Sequence, residues 1–228
     1  DAGSYSFDVH SRPFNLFNGT DAGNTMTGTA GADVINGLGG SDVIRALEGD
    51  DVIDGGTGID SMYGGKGNDT FIVESIGDTP YENVNEGIDT VKTSLAKYAL
   101  SSNVENLIYT GTADFTGTGN TLNNSITGSA GKDVLNGGTG VDVLTGLAGD
   151  DLYYVDNAGD AIIEASAGGR DLIATSVTIS ALAANVEDLL LTGNAAISAT
   201  GNALDNSITG NAAANVLNGL AGNDILTG

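Results

Sequence analysis

Gly28 to Ile72 reads GTAGADVIN, GLGGSDVIR, ALEGDDVID, GGTGIDSMY, GGKGNDTFI, five units of nine residues without a gap. Asp33, Asp42, Asp51, Asp60 and Asp69 hold the sixth place of each unit, and Ile35, Ile44, Ile53, Met62 and Phe71 the eighth. A nine-residue period is too short for a helical repeat and too regular for a loop, so it describes one structural unit copied along an axis. The last three places carry β-formers with the eighth always apolar, which is a short strand turning one side inward. The first six carry glycines and an Asp or Asn, a turn that needs positive φ at several positions. Two units make one flattened coil, and successive coils stack at the parallel-strand spacing of about 4.8 Å. Asp33, Asp51 and Asp69 then fall in a row on one edge, and Asp42 and Asp60 on the other.

Composition agrees. Glycine is 36 of 228 residues against two prolines, more than double ordinary glycine usage of about 7%, so turns dominate and neither collagen nor a proline-rich linker fits. Thirty acidic residues against seven basic ones leave a net charge of −23. That charge argues against nucleic acid and anionic membrane as partners and makes a cation the expected one. The absence of cysteine excludes disulfides and thiolate metal sites. No apolar run approaches the ~20 residues of a spanning helix, so membrane insertion is not expected. The opening DAGSYSFDVH shows neither an initiator Met nor a signal-peptide pattern. Gly219 to Thr227 is one more nonapeptide, GLAGNDILT, and Gly228 opens another. Both ends lead us to expect a piece of a longer protein.

A longer repeat lies over the short one. Asp69 to Gly128 realigns without a gap on Asp151 to Gly210: GDTPYE pairs with GDAIIE, NVENLIYTG with NVEDLLLTG, TGNTLNNSITG with TGNALDNSITG. The organisation expected is a lead-in at 1–18 and one continuous solenoid at 19–228, with arrays at 19–72, 119–154 and 201–228 and spacers at 73–118 and 155–200. No unit can bury a face alone, so the chain is not divided into globular domains. TSLAKYALSSNVENL in the first spacer could form an amphipathic helix, but its copy TSVTISALAANVEDL has β-branched residues that a helix disfavours. FIV, DTVKTS, ENLIYTG and the GTG and SITG segments are therefore read as further rungs of an irregular parallel β-helix.

The aspartate rows are the argument for metal. Carboxylates about 5 Å apart repel by roughly 3 kcal/mol at an effective dielectric of about 20, and each row repeats that contact. Carboxylate and turn carbonyl oxygens suit Ca²⁺, whereas Zn²⁺ calls for His or Cys; the chain has one His and no Cys. Ordering nine residues costs on the order of 9–18 kcal/mol, and one large buried apolar side chain returns only about 1.5–3 kcal/mol. Ion binding and folding are expected to be one coupled event.

GGTGIDSMY, GGKGNDTFI and GGTGVDVLT resemble the calcium-binding nonapeptides of the RTX (repeats-in-toxin, haemolysin-type) family, over somewhat under two thirds of the chain. The resemblance implies a right-handed parallel β-roll with Ca²⁺ held between the turns of adjacent coils, export by a type I secretion apparatus, and folding outside the cell. Carried over place by place, it implies Asp33, Asp42, Asp51, Asp60, Asp69, Asp133, Asp142, Asp151 and Asp224 as ligands. Asn24, Asn124, Asn206 and Asn215 hold the sixth place in the outer units, where an amide brings an oxygen but no charge, so weaker or empty sites are expected there. Ala46 and Leu47 stand where glycines belong, so that turn should be strained or differently shaped.

Catalytic signals are thin. His10 has no motif around it, GSAGKDVLN lacks the Ser or Thr that a phosphate loop places after Lys and is explained as a nonapeptide, and the sequons at Asn18, Asn68 and Asn123 are chance matches in an Asn- and Thr-rich chain. Parallel β-helices also carry polysaccharide lyases and epimerases, which need a base or cation beside carboxylates. Arg12, Arg45, Lys66, Lys92, Lys97, Lys132 and Arg170 are scattered, and the best trio, Lys92, Lys97 and Tyr98, becomes Ala174, Ile179 and Ser180 in the second copy. The expected function is a non-catalytic calcium-binding module of a secreted bacterial protein. The alternatives are an adhesin, surface-layer or filament protein that associates end to end, and the non-catalytic part of a secreted lyase, epimerase or hydrolase.

Overall fold

A computed structural model describes residues 14–228. Residues 1–13, which carry His10, Arg12 and most of the expected lead-in, lie outside the described residues. The described residues contain only short β-strands and turns and no helix. Every strand pairing is parallel, and together the strands wind a β-solenoid.

The chain alternates between two sides of a flattened coil. One side is a nine-stranded sheet running from Asn15–Thr20 through Asp33–Leu38, Val52–Asp54 and Thr70–Val73 to Ala161–Glu164. It is continued by a bridge between Ile179 and Ala199 and a two-stranded sheet of Ser198–Thr200 and Val216–Asn218. The other side is a four-stranded sheet from Thr25–Thr27 to Thr79–Tyr81, then an eight-stranded sheet from Lys97–Ala99 to Ile225–Thr227. Within the arrays the register is i to i+18, as in Val34↔Val52↔Thr70 and Val43↔Ser61↔Thr79, the coil expected from two nonapeptides.

The eighth-place side chains form the core. Ile35, Ile53, Phe71, Val91, Leu107, Ile126 and Leu144 stack in one inward ladder, and Ile44 and Met62, then Leu135, Tyr153, Ile173, Leu189 and Ile208, in the facing one. Each large side chain buried here contributes about 1.5–3 kcal/mol. Gly117 leaves room in the second ladder, and the stacked rings of Tyr109 and Phe115, 4.4 Å apart, pack beside it.

The spacers continue the solenoid with uneven coils. Thr70 pairs with Thr90, Thr90 with Asn106 and Asn106 with Ser125. The first spacer therefore has coils of 20, 16 and 19 residues, of which the first and third are longer than the array coil and the second is shorter. The segment that could have been helical, residues 93–107, instead runs from the end of strand Thr90–Thr93 through Lys97–Ala99 into Asn106–Tyr109, with its bend at Asn103, where φ is 65°.

The same coil lengths recur in the second spacer, through Leu152↔Leu172, Leu172↔Asp188 and Asp188↔Ser207. The shift from one copy of the long repeat to the next amounts to four coils and one nonapeptide, a half-integral number. Each strand of the first copy therefore reappears on the other side of the coil. Thr70–Val73 lies in the nine-stranded sheet, and its copy Leu152–Val155 lies in the eight-stranded one.

Candidate metal centre

The sixth-place aspartates form two ladders along the edges. Asp33, Asp42, Asp51, Asp60, Asp69, Asp133 and Asp142 are each 1% exposed and Asp151 2%. In each ladder Oδ1 accepts the backbone N–H of the residue one coil earlier: Asp51 from Asp33 at 2.8 Å, Asp69 from Asp51 at 2.8 Å, Asp60 from Asp42 at 2.8 Å, Asp151 from Asp133 at 2.7 Å. The ladder persists through the spacers, where Asp69 donates to Asp89 and Asp151 to Asp171. In the shortest coil glutamates take over, Glu105 accepting from Asp89 and Glu187 from Asp171. The longer side chain spans what the shorter coil leaves open. Asp33, Asp51 and Asp69 thus share one edge and Asp42 and Asp60 the other, with Asp142 joining the first row and Asp133 and Asp151 the second.

Oδ2 divides the sites into two groups. Buried Oδ2 atoms of Asp42, Asp51, Asp60, Asp69, Asp142 and Asp151 have no hydrogen-bond partner. In all six units the second-place residue has positive φ, at Leu38, Leu47, Gly56, Gly65, Gly138 and Leu147, and so does the fourth-place glycine. These turns are open toward the carboxylate. In the closed turns the second-place N–H turns inward and caps the sixth-place oxygen: Thr29 to Asp33 at 2.6 Å, Ser129 to Asp133 at 2.6 Å, Asn120 to Asn124 at 2.8 Å, Asn202 to Asn206 at 2.8 Å and Asn211 to Asn215 at 2.9 Å.

The sequence cause is local. In closed turns the second place is Thr, Ser or Asn, whose side-chain oxygen accepts an N–H two residues on, as Ser129 does from Gly131 and Asn120 from Leu122. Such a side-chain turn holds the backbone in its ordinary region. Open turns carry Gly or Leu at that place, and Leu38, Leu47 and Leu147 are held at φ of 73°, 88° and 84°. The turn read as strained or differently shaped at Ala46 and Leu47 is an open turn with Leu47 left-handed. Left-handed conformation costs an L-residue roughly 1–2 kcal/mol, so the open form needs compensation.

Asp33 and Asp133, expected as ligands, therefore have Oδ2 engaged by protein donors. Asp224 follows Leu220, with φ of 70°, in an open turn at the partly exposed end of the described coils. The amides of Asn124 and Asn206 sit in the ladder and donate to the backbone carbonyls of Val104 and Glu105, and of Val186 and Glu187. An amide supplies its own positive pole there, and a carboxylate cannot.

Burial and neighbouring anions oppose ionisation at Asp51, Asp60, Asp69, Asp142 and Asp151, and at Asp133 in a closed turn as well. Desolvation, with charge from Asp33 and Asp50 added, pushes the Asp51 carboxyl up to about 6. Desolvation and the ladder neighbours push Asp69 and Asp151 up to about 7. Asp60 and Asp142 are raised by the same causes. The ion pairs among the described residues, Lys66–Glu48, Lys132–Asp150 and Arg170–Asp188, reach none of these groups.

The space beside the orphaned oxygens is walled by backbone. A Cβ on Gly37 would collide with Asp42 Oδ2 and with the carbonyl oxygen of Gly55 one coil on; one on Gly55 would meet Asp60 Oδ2. Carboxylate and carbonyl oxygens converging on a glycine-lined gap are the hard donor set that Ca²⁺ accepts. The residues present fit a bound Ca²⁺.

Two further carboxylate groups lie outside the nonapeptides. Asp69, Glu82 and Asp89 bring one oxygen each within 4.8 Å of one another, and so do Asp151, Glu164 and Asp171. GDTPYE and GDAIIE align Glu82 with Glu164, but the alignment alone gives neither a role. The missed signal is that Glu82 stands one array coil after Gly64, and Glu164 one array coil after Gly146, where the period calls for glycine. Lys92, Lys97 and Tyr98 are not brought together: Lys92 lies in the nine-stranded sheet and Lys97 in the eight-stranded one, exposed, while Tyr98 packs against the core.

Fold and site define an acid-edged parallel β-solenoid suited to hard divalent cations. The sequence profile of the RTX calcium-binding nonapeptide repeat matches in four copies, at residues 18–53, 46–75, 118–153 and 200–228, together more than half of the chain. The chain belongs to this family. No curated protein matches it.

Proposed function

We propose that this chain is a Ca²⁺-binding β-solenoid module that acquires its stable fold on taking up Ca²⁺ outside the cell, as part of a secreted bacterial protein. The observation that carries this reading is the set of six buried nonapeptide aspartate oxygens without a partner, all in open turns. A stack of such anions is self-repelling, and a divalent cation between coils converts the repulsion into cross-linking. Members of the family are typically secreted, and a fold that waits for the ion keeps the chain unfolded until it reaches calcium. The proposed role is structural, a calcium-stiffened rod, with no reaction assigned to it. Circular dichroism during Ca²⁺ titration, with Mg²⁺ as comparison, tests it. β-Structure appearing cooperatively with Ca²⁺ supports the reading, and full order in excess chelator overturns it.

A further inference from the structure

We propose that Glu82 and Glu164 complete two additional Ca²⁺ sites, Asp69–Glu82–Asp89 and Asp151–Glu164–Asp171, which lie at the exits of the first two arrays and clamp each array to the spacer that follows. The proposal rests on the calcium reading above. Glu82, Asp89, Glu164 and Asp171 all fall outside the residues matched by the nonapeptide profile.

Proximity of acids would not suffice. Glu82 is only 9% exposed, and both of its carboxylate oxygens lack any hydrogen-bond partner, as does Asp69 Oδ2 beside it. Its aim is set by the coil. Tyr63 pairs with Tyr81, so Glu82 follows over Gly64, and a Cβ on Gly64 would collide with both Glu82 Oε1 and Asp69 Oδ2. Two anionic oxygens thus converge on space that only a glycine leaves free. Oxygens ligating one Ca²⁺ at about 2.3–2.6 Å stand no more than roughly 5 Å apart, and the three carboxylates meet that bound at 4.8 Å. A cavity of about 180 Å³ lined by Tyr63, Gly65, Tyr81, Glu82, Asn83 and Glu86 borders this group.

The location explains the need. Asp51 and Asp69 are joined across a coil of 18 residues, but Asp69 and Asp89 across one of 20. Asp69, the last nonapeptide aspartate of the first array, still donates its N–H to Asp89 at 2.8 Å, so the two added residues are taken up in the turn between them. A cation shared by Asp69, Asp89 and the inward Glu82 closes that turn. The second group repeats the arrangement over Gly146, beside the equally enlarged coil from Leu152 to Leu172. Because the copies are rotated by half a coil, the two clamps sit on opposite edges of the rod. They are not identical. Tyr153 donates its hydroxyl to Glu164, whereas Phe71 stands at the matching place in the first copy, so the first group has the less engaged glutamate and the tighter site.

The test is Ca²⁺ stoichiometry of the full chain by equilibrium dialysis, for the parent and for Glu82→Gln, Asp89→Asn and Glu164→Gln, with Glu86→Gln as a control from the same cavity. We expect Glu82→Gln and Asp89→Asn each to bind one ion fewer, Glu164→Gln one fewer, Glu82→Gln with Glu164→Gln two fewer, and Glu86→Gln the full number. Thermal melting supplies a second readout that loss of packing would not mimic. Glu82→Gln should gain less thermal midpoint per tenfold rise in Ca²⁺ than the parent, because one ion fewer is taken up on folding, whereas a packing defect would lower the midpoint and leave that slope unchanged. Unchanged stoichiometry in Glu82→Gln, or loss of every ion at once, overturns the two-clamp proposal while the parent still binds calcium. A parent that takes up no Ca²⁺ overturns the calcium reading itself.

Discussion

Asp51 Oδ1 accepts the backbone N–H of Asp33 at 2.8 Å, one coil away, while Asp51 Oδ2 is buried without a partner. One carboxylate thus does two jobs. One oxygen extends the hydrogen-bonded ladder between coils, and the other leaves a negative pole facing the neighbouring turn.

Replacing that group should separate ligands from bystanders. Asp51→Ala and Asp60→Ala are each expected to weaken Ca²⁺-induced β-structure, because each removes a buried oxygen pair from a ladder, while Lys97→Ala, exposed and unpaired with these groups, leaves it unchanged. Circular dichroism titrations of the three variants check this. Equal effects would sink the ligand assignment.

The two turn forms predict unequal aspartates. Asp42→Asn removes charge where Oδ2 has no protein donor, so the Ca²⁺ midpoint should rise by roughly tenfold, about 1.4 kcal/mol. Asp33→Asn acts where Thr29 already caps Oδ2, and its midpoint should stay within roughly twofold, well under about 1 kcal/mol. Calorimetric titration of both variants decides, and a larger shift for Asp33→Asn would contradict the distinction.

Glycine at the fourth place carries the same contrast in the backbone. Gly58, at φ of 144° in an open turn, has no room for a Cβ against the Gly40 carbonyl. Gly58→Ala should destabilise by about 1–3 kcal/mol. Gly31 stands in a closed turn with nothing within 4 Å of its Cβ position and no positive φ, so Gly31→Ala should be neutral or gain about 0.4–1 kcal/mol. Denaturant melts in saturating Ca²⁺ measure both.

Acidity should act in opposite directions with and without the ion. The Asp51 carboxyl is raised to about 6, Asp69 and Asp151 to about 7 and Glu82 to about 9, mainly by burial. Groups raised in the folded state contribute stability that is full below their unfolded values near 4 and is lost as pH climbs through the folded ones. The metal-free chain, unfolded at neutral pH and above, should therefore gain β-structure as pH falls from about 9 to about 5. With Ca²⁺ the order reverses, because the ion needs the charged carboxylates and protons displace it. Circular dichroism in chelator and thermal midpoints in Ca²⁺ across this range test both signs.

Much of this molecule was legible in the chain because a nonapeptide encodes its own geometry. The apolar eighth place, the β-forming seventh to ninth and the glycine-bearing turn are all local, so the coil of two nonapeptides, the inward stack of Ile35, Ile53 and Phe71 and the two aspartate rows follow from counting. The spacer strands were legible too, through the disagreement between TSLAKYALSSNVENL and its copy. The tertiary structure decided what depends on the neighbouring coil. Whether Asp42 or Asp33 keeps a free oxygen rests on the φ of Leu38 and on the N–H of Thr29. Glu82 meets Asp69 and Asp89 only because it stacks over Gly64. The opposite edges of the two carboxylate groups come from the uneven spacer coils, set by the pairings Thr70↔Thr90, Thr90↔Asn106 and Asn106↔Ser125. A period fixes where a side chain stands on its own coil, whereas only the stack determines which donor, anion or empty space it faces.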